Sequence, residues 1–419
     1  MEFIGKTVKL YRLKKSMSQS ELATGICSVS YLSKLENNKI EPSQEIVEHL
    51  FKRLDIKRNP VISSVINSEA EELLRILTYE LFINEKDLSK ARDKLASVLN
   101  MLEANHVPRL TIFANITLLR VATISNNRKQ AKELINELTQ LVDQMNPYNK
   151  LLFKLYVSIF LITTEDYKLA NVHCNEALIL LKTEVVSSWL SGYLYYIKSL
   201  ICSQLYQANQ CIEFAEKALE IFKEEFLPSR CIDSYMLLAI SYSRFKKYMK
   251  ALHILHKCER LISQETDQRR LGKILHNRAL FYEKMGNIKE SIRSWNECIE
   301  LKKKYHDPSV SFTTLILAKT HYRYGDYSDS EKVLNEMEIE DQDSLLREEV
   351  ELLLYLLKVK KNQITMDEKK LSRSMKEYKN SSKPRVYSEY CYWVAKLFEE
   401  RNLYKNASYY FCEAYNTIR

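Results

Sequence analysis

In residues 2–15 apolar and basic positions alternate at helical spacing, with Ile4, Val8, Tyr11 and Leu13 inward and Lys6, Lys9, Arg12, Lys14 and Lys15 outward. Ser18 then caps a second, short helix over Gln19 to Thr24, and Glu21 three residues later completes a capping box. Gly25 ends it. A third helix begins at Ser28, carries Tyr31, Leu32 and Leu35, and stops at Asn37-Asn38. Pro42-Ser43 opens a fourth, whose apolar face is Ile46, Val47, Leu50, Phe51 and Leu54. Beyond the first sixty residues a different regularity takes over. A small residue recurs about every forty positions, at Ala91, Ala131, Ala170, Cys211, Ala251, Ser291, Ser330 and Ala407, with an imperfect slot near Lys370. Such a period predicts stacked helix pairs. Pro108, Pro147, Pro228, Pro308 and Pro384 fall where first helices of those pairs should start, a place where proline is tolerated.

Composition narrows the class. Only 6 Gly and 7 Pro serve 419 residues, too few for a chain of many hairpins, so the fold is read as all-α. Net charge is +9, and residues 1–60 hold eleven Lys/Arg against seven Asp/Glu, which concentrates cation in the head. The nine cysteines form no C-x-x-C pair and read as reduced thiols of a cytoplasmic protein. No cleavable leader opens the chain, and its longest apolar stretch (Leu155–Ile162) is too short to span a bilayer, so no membrane partner is expected. His253, His256 and Cys258 form the one tempting ligand cluster, but no carboxylate completes it. With no Gly-rich phosphate loop and no G-x-S-x-G, the chain reads as no enzyme, without metal or cofactor.

Two short helices joined by Gly25-Ile26-Cys27 are what a helix-turn-helix requires. Gln19 is placed to bond a phosphate, while Ser28, Ser30, Tyr31 and Lys34 would enter the major groove, and Asn37, Asn38 and Lys39 would follow the adjacent backbone. The run SQSELATGICSVSYLSKLENNKIEPS resembles the reader of phage-repressor-like regulators. It is one residue shorter between Ala23 and Glu36, and with its ICS turn it is similar to the Rgg/NprR/PlcR branch.

The run Ala279–Lys302 resembles a tetratricopeptide unit. Ala279 and Tyr282 lie on its first helix, Gly286 in the turn, and Ser291, Trp295 and Cys298 on its second. The expected architecture is a repressor-like helix-turn-helix (1–57), a link (58–70) and a right-handed α-solenoid of about nine hairpins (71–419). First helices line the concave wall of such a stack, which suits an extended peptide. Inward positions include Arg109, Asn115, Arg120, Tyr193, Tyr196, Lys273, His276, Asn277, Lys319 and Tyr322. Asn115 and Asn277 could hold a peptide backbone, and Arg120, Lys273 and Lys319 its carboxylate; each is equally readable as a solvated wall residue.

Taken with the head, the resemblance extends over nearly the whole chain, to the peptide-responsive quorum-sensing regulators, NprR-like in architecture. It implies a transcription regulator that binds a double-stranded operator, is switched by a short signalling peptide and forms a homodimer. The alternatives are a protein that sequesters or dephosphorylates a response regulator, and a phage lysis–lysogeny regulator. The aromatic tail (Tyr387, Tyr390, Tyr392, Trp393, Phe398, Tyr404, Tyr409, Tyr410, Phe411) fits a dimer contact or plain packing of the last helices.

Overall fold

The computed structural model describes residues 4–37, 39–40, 42–55, 63–83, 88–105, 108–262, 268–338, 344–381 and 384–418. These form 22 α-helices, one short 3-10 turn and no strand. By contacts the chain divides into two compact units, Met1–Arg230 and Cys231–Arg419.

Four helices make the head: α1 (Ile4–Lys14), α2 (Gln19–Ala23), α3 (Val29–Glu36) and α4 (Gln44–Arg53). Ser18, Ser28 and Ser43 cap α2, α3 and α4, each accepting a backbone N–H, and the Ser18/Glu21 capping box is complete. Val8, Leu22, Ala23, Leu32, Leu35, Leu50 and Leu54 pack into a closed core. Leu10 is also buried, and Arg12 is not outward as its phase suggested. Its guanidinium is buried with Glu36, because an acid on the inward side of α3 needs a partner out of water.

Nine helix pairs follow among the described residues. In the first unit they are α5 (Ser63–Ile83) with α6 (Leu88–Asn105), α7 (Pro108–Ile124) with α8 (Arg128–Gln140), α9 (Pro147–Thr163) with α10 (Tyr167–Leu181), and α11 (Ser188–Gln204) with α12 (Ala208–Glu224). Next along the chain come α13 (Pro228–Arg244) and α14 (Tyr248–Leu261), α15 (Gln268–Lys284) and α16 (Ile288–Lys304), α17 (Val310–Tyr324) and α18 (Tyr327–Asn335). The last pairs are α19 (Ser344–Lys360) with α20 (Glu368–Ser381), and α21 (Pro384–Glu399) with α22 (Tyr404–Ile418). Of the stretch 58–70, residues 58–62 lie outside the described ones and α5 is under way from Ser63.

The forty-residue period has a direct structural meaning. Each small residue is the fourth of its second helix, where that helix crosses the first closely, and all are buried. Ser291 and Ser330 use the closeness to donate their hydroxyls to Ala279 and Ala318 carbonyls, at 2.9 and 2.8 Å. By the same register the eighth slot is Leu371, fully buried, and not Lys370, which has turned outward. The turns inside the pairs place Asn126, Glu165, Tyr206, Lys246, Gly286, Gly325, Asn362 and Asn402 at positive φ. Glycine fills two of these eight, which is why so few glycines suffice.

Gly192 shows how close a pair can be. A Cβ added there on α11 would sit 2.8 Å from Phe222 Cε1 and 3.0 Å from Ile221 Cγ2 of α12. Gly192→Ala is expected to destabilise the protein by about 1–3 kcal/mol through overpacking, read as a lower Tm. An unchanged Tm would mean that α11 and α12 separate at no cost.

Candidate functional site

The head owes its reading surface to one buried knot. Arg12 forks onto Glu36, Nε to Oε1 at 2.6 Å and Nη2 to Oε2 at 2.9 Å, and its Nη1 donates to the Met17 carbonyl at 2.9 Å. Gln19 Nε2 donates to Glu36 Oε2 at 2.7 Å. So α1, α2 and α3 are tied through a single carboxylate. The turn is fixed from the other side: Gly25 takes φ +73°, and Arg53 of α4 donates to the carbonyls of Leu22 (3.1 Å) and Thr24 at the end of α2.

This scaffold leaves the outer side of α3 open. Ser30 and Lys34 are exposed and Tyr31 half-buried. Ser28 is exposed, but its oxygen caps α3 by accepting the Tyr31 N–H, leaving the hydroxyl hydrogen to donate. One N–H of Gln19 is spent on Glu36, which orients the amide at the start of α2. Asn37 closes α3, its amide donating to the Ser33 carbonyl at 2.9 Å, and Lys39 is exposed beyond it. Asn38 lies outside the described residues. Sequence reasoning passed over Val29, the first residue of α3, which is 45 % exposed. An apolar residue directly after the cap Ser28 was the available signal.

The candidate wall residues fall into two groups, described unit by unit. In the first unit Arg109 is exposed, 3.8 Å from a Glu71 carboxylate oxygen, and Asn115 and Tyr196 are half-buried. Arg120 and Tyr193 differ from the open groups the sequence suggested. Arg120 is only 4 % exposed, donates to the Tyr193 hydroxyl at 2.9 Å and lies against the Tyr156 ring. Tyr193 is buried and stacks on Tyr196 with ring centres 6.4 Å apart.

In the second unit Lys273 is exposed, and Asn277 and His276 are half-buried. Asn277 donates its amide to the Lys273 carbonyl at 2.9 Å, which leaves its own oxygen as an acceptor. His276 sets its ring edge on Trp295, and burial together with the Lys302 charge pushes its pKa down to about 4. It is therefore a neutral imidazole at pH 7. Lys319 is no free cation: it is buried between Glu349 (2.9 Å) and Glu389 (2.7 Å). Tyr322 is buried with its ring 4.7 Å from that of Trp393. Cys258 is fully buried with its thiol toward the Ile232 carbonyl, while His256 is exposed beside Glu259, so they do not converge. No group of three or more His, Cys, Asp or Glu among the described residues could hold a metal ion, and no described helix is long and apolar enough to cross a membrane.

Residues 8–59 match the family described as Helix-turn-helix. Over 415 residues, 95 % of this chain and 99 % of the relative, the sequence is 22 % identical to the transcriptional activator NprA of Geobacillus stearothermophilus. The chain is a homologue of NprA. Its fold is that of NprR. The apo form of the quorum sensor NprR from B. thuringiensis superposes with a TM-score of 0.70 at 16 % identity, over 85 % of this chain and all of that one. NprR in complex with its cognate peptide NprX gives 0.59 at 17 % identity, over 86 % and 99 % of the two chains. The protein is thus a helix-turn-helix DNA-binding regulator related to NprA and NprR, with tetratricopeptide-like repeats. The matched residues include the whole Arg12–Glu36–Gln19 knot, so the reader and its support lie inside the shared domain.

Proposed function

We propose that this chain regulates transcription from a duplex operator under the control of a short peptide bound along the first helices of its repeats. The head (1–57) reads DNA with Ser28, Ser30, Tyr31 and Lys34 of the α3 segment, while Gln19, Asn37 and Lys39 hold phosphates. The repeat body, which begins with α5 at Ser63, binds the peptide. The observation that carries the reading is the exposed face of α3, free of apolar packing and held rigid from behind. Peptide control draws its support from NprR, which has been solved with its cognate peptide.

Burial sorts the wall residues. Asn115, Tyr196, Lys273, His276 and Asn277 keep polar surface for a guest, and Arg120, Tyr193, Lys319 and Tyr322 shape the wall beneath them. The protein works in the cytoplasm as a homodimer. Tyr404, Tyr409 and Tyr415 of α22 stay 58–64 % exposed and support a contact there. Tyr387, Tyr390, Trp393, Phe398 and Tyr410 instead pack the last helices.

A gel shift on DNA upstream of its own gene, with and without a synthetic peptide from a small reading frame directly downstream, tests the proposal. The shift should change with peptide, and Lys34→Glu should weaken it at least tenfold, since a contact to a base edge is worth about 1–3 kcal/mol and the new carboxylate also repels phosphate. Equal shifts by the native and Lys34→Glu proteins would remove α3 from the groove.

A further inference from the structure

We propose that the outer face of α20 is a second DNA contact, docking the phosphate backbone of duplex outside the operator. This rests on the reading of the chain as a DNA-binding regulator, though not on which residues read the operator.

Along α20, Glu368, Ser372 and Lys379 turn toward α22, where they meet Asn406, Tyr410 and Glu413. Leu371, Met375 and Tyr378 are buried. One-quarter turn around the helix from the α22 side, Lys369, Arg373 and Lys376 recur once per turn, all exposed and none paired with a carboxylate among the described residues. They span roughly 10 Å of helix at 1.5 Å per residue, about the rise of three base pairs. Asn380 extends the stripe by another turn.

On α12, Glu213, Glu216 and Glu220 are interspersed with Lys217 and Lys223, and Lys217 is paired with Glu213 at 2.6 Å. The α20 stripe has no apolar centre, and the exposed acid that borders it is Glu377. Protein partners are met through an apolar core, whereas a polyanion needs only regularly spaced cations that release its counterions.

The test is fluorescence anisotropy of the full-length chain on a labelled duplex of mixed sequence without the operator, between about 50 and 200 mM salt. It compares the native protein with Lys369→Gln/Arg373→Gln/Lys376→Gln, each also carrying Lys34→Glu. Glutamine keeps helix propensity, and an unchanged far-UV melting curve certifies the fold. The triple variant should lower the slope of log K against log salt by about 2–3, with or without Lys34→Glu. That fall in the Lys34→Glu background supports the α20 contact even where the assignment of the reader fails. Equal slopes for native and triple variant overturn it. Loss of binding to poly-L-glutamate with an unchanged DNA slope also overturns it and assigns the face to an acidic protein.

Discussion

Glu36→Ala should unfold the helix-turn-helix head and leave the repeats folded. The side chains of Arg12 and Glu36 are 9 % and 1 % exposed, so alanine would strand a guanidinium in a dry core. Breaking a buried pair from one side costs about 3–5 kcal/mol. A head of some fifty residues has little more than that in total, since small domains bury a modest share of their surface. The knot also orients Gln19 and anchors α1 to α3, so the reading helix would go with it. Calorimetry should show an early transition lost, and the operator shift should vanish. Arg12→Met with Glu36→Leu, which removes both charges, should recover most of the stability. A single variant that melts like the native protein would make the pair dispensable.

Local chemistry made much of this fold legible. The caps at Ser18, Ser28 and Ser43, the turn at Gly25 and the prolines that open α7, α9, α13 and α21 are each decided by groups within a few residues. The repeat was legible because helices that cross closely demand a small residue once per pair, as Ala170 and Ser291 do. What escaped depends on partners far away in sequence. Arg12 reads as a solvent cation until Glu36, 24 residues later, is known to be buried. Arg120 finds its tyrosine 73 residues on, and Lys319 its second carboxylate on α21. Periodicity can say that such a residue lies on a first helix. It cannot say which long side chain from a later repeat will cover it. The slot at Leu371 escaped for the opposite reason: a large residue there breaks the signal that the other slots share.

In the second unit the largest loss is expected from Lys319→Met. Lys319 lies between Glu349 and Glu389, with side-chain exposures of 8 %, 13 % and 26 %, and Arg323 joins Glu389 to Glu283. Burial alone would lower the pKa of Lys319, but Glu389 and Glu349 hold it above the usual lysine value. Burial alone would raise that of Glu389, but Lys319 and Arg323 keep it below the usual carboxylate value. Among the described residues, removing the ammonium leaves Glu349 with no cation and Glu389 with Arg323 alone, a cost of about 3–5 kcal/mol at neutral pH. The depressed carboxylate sets the acid side. Its stabilisation is present above the unfolded value near 4.3 and lost as pH falls through the folded value. The raised lysine sets the alkaline side. Its share is full below about 10.4 and lost as pH rises through the folded value. The penalty of Lys319→Met should therefore be greatest between those limits and shrink as pH falls below about 4.3, where Glu389 takes up its proton. Urea titrations of both proteins at about pH 7.5 and about pH 3 would read the difference. A penalty of the same size at both pH values would mean that methionine costs packing alone and that the charges play no part.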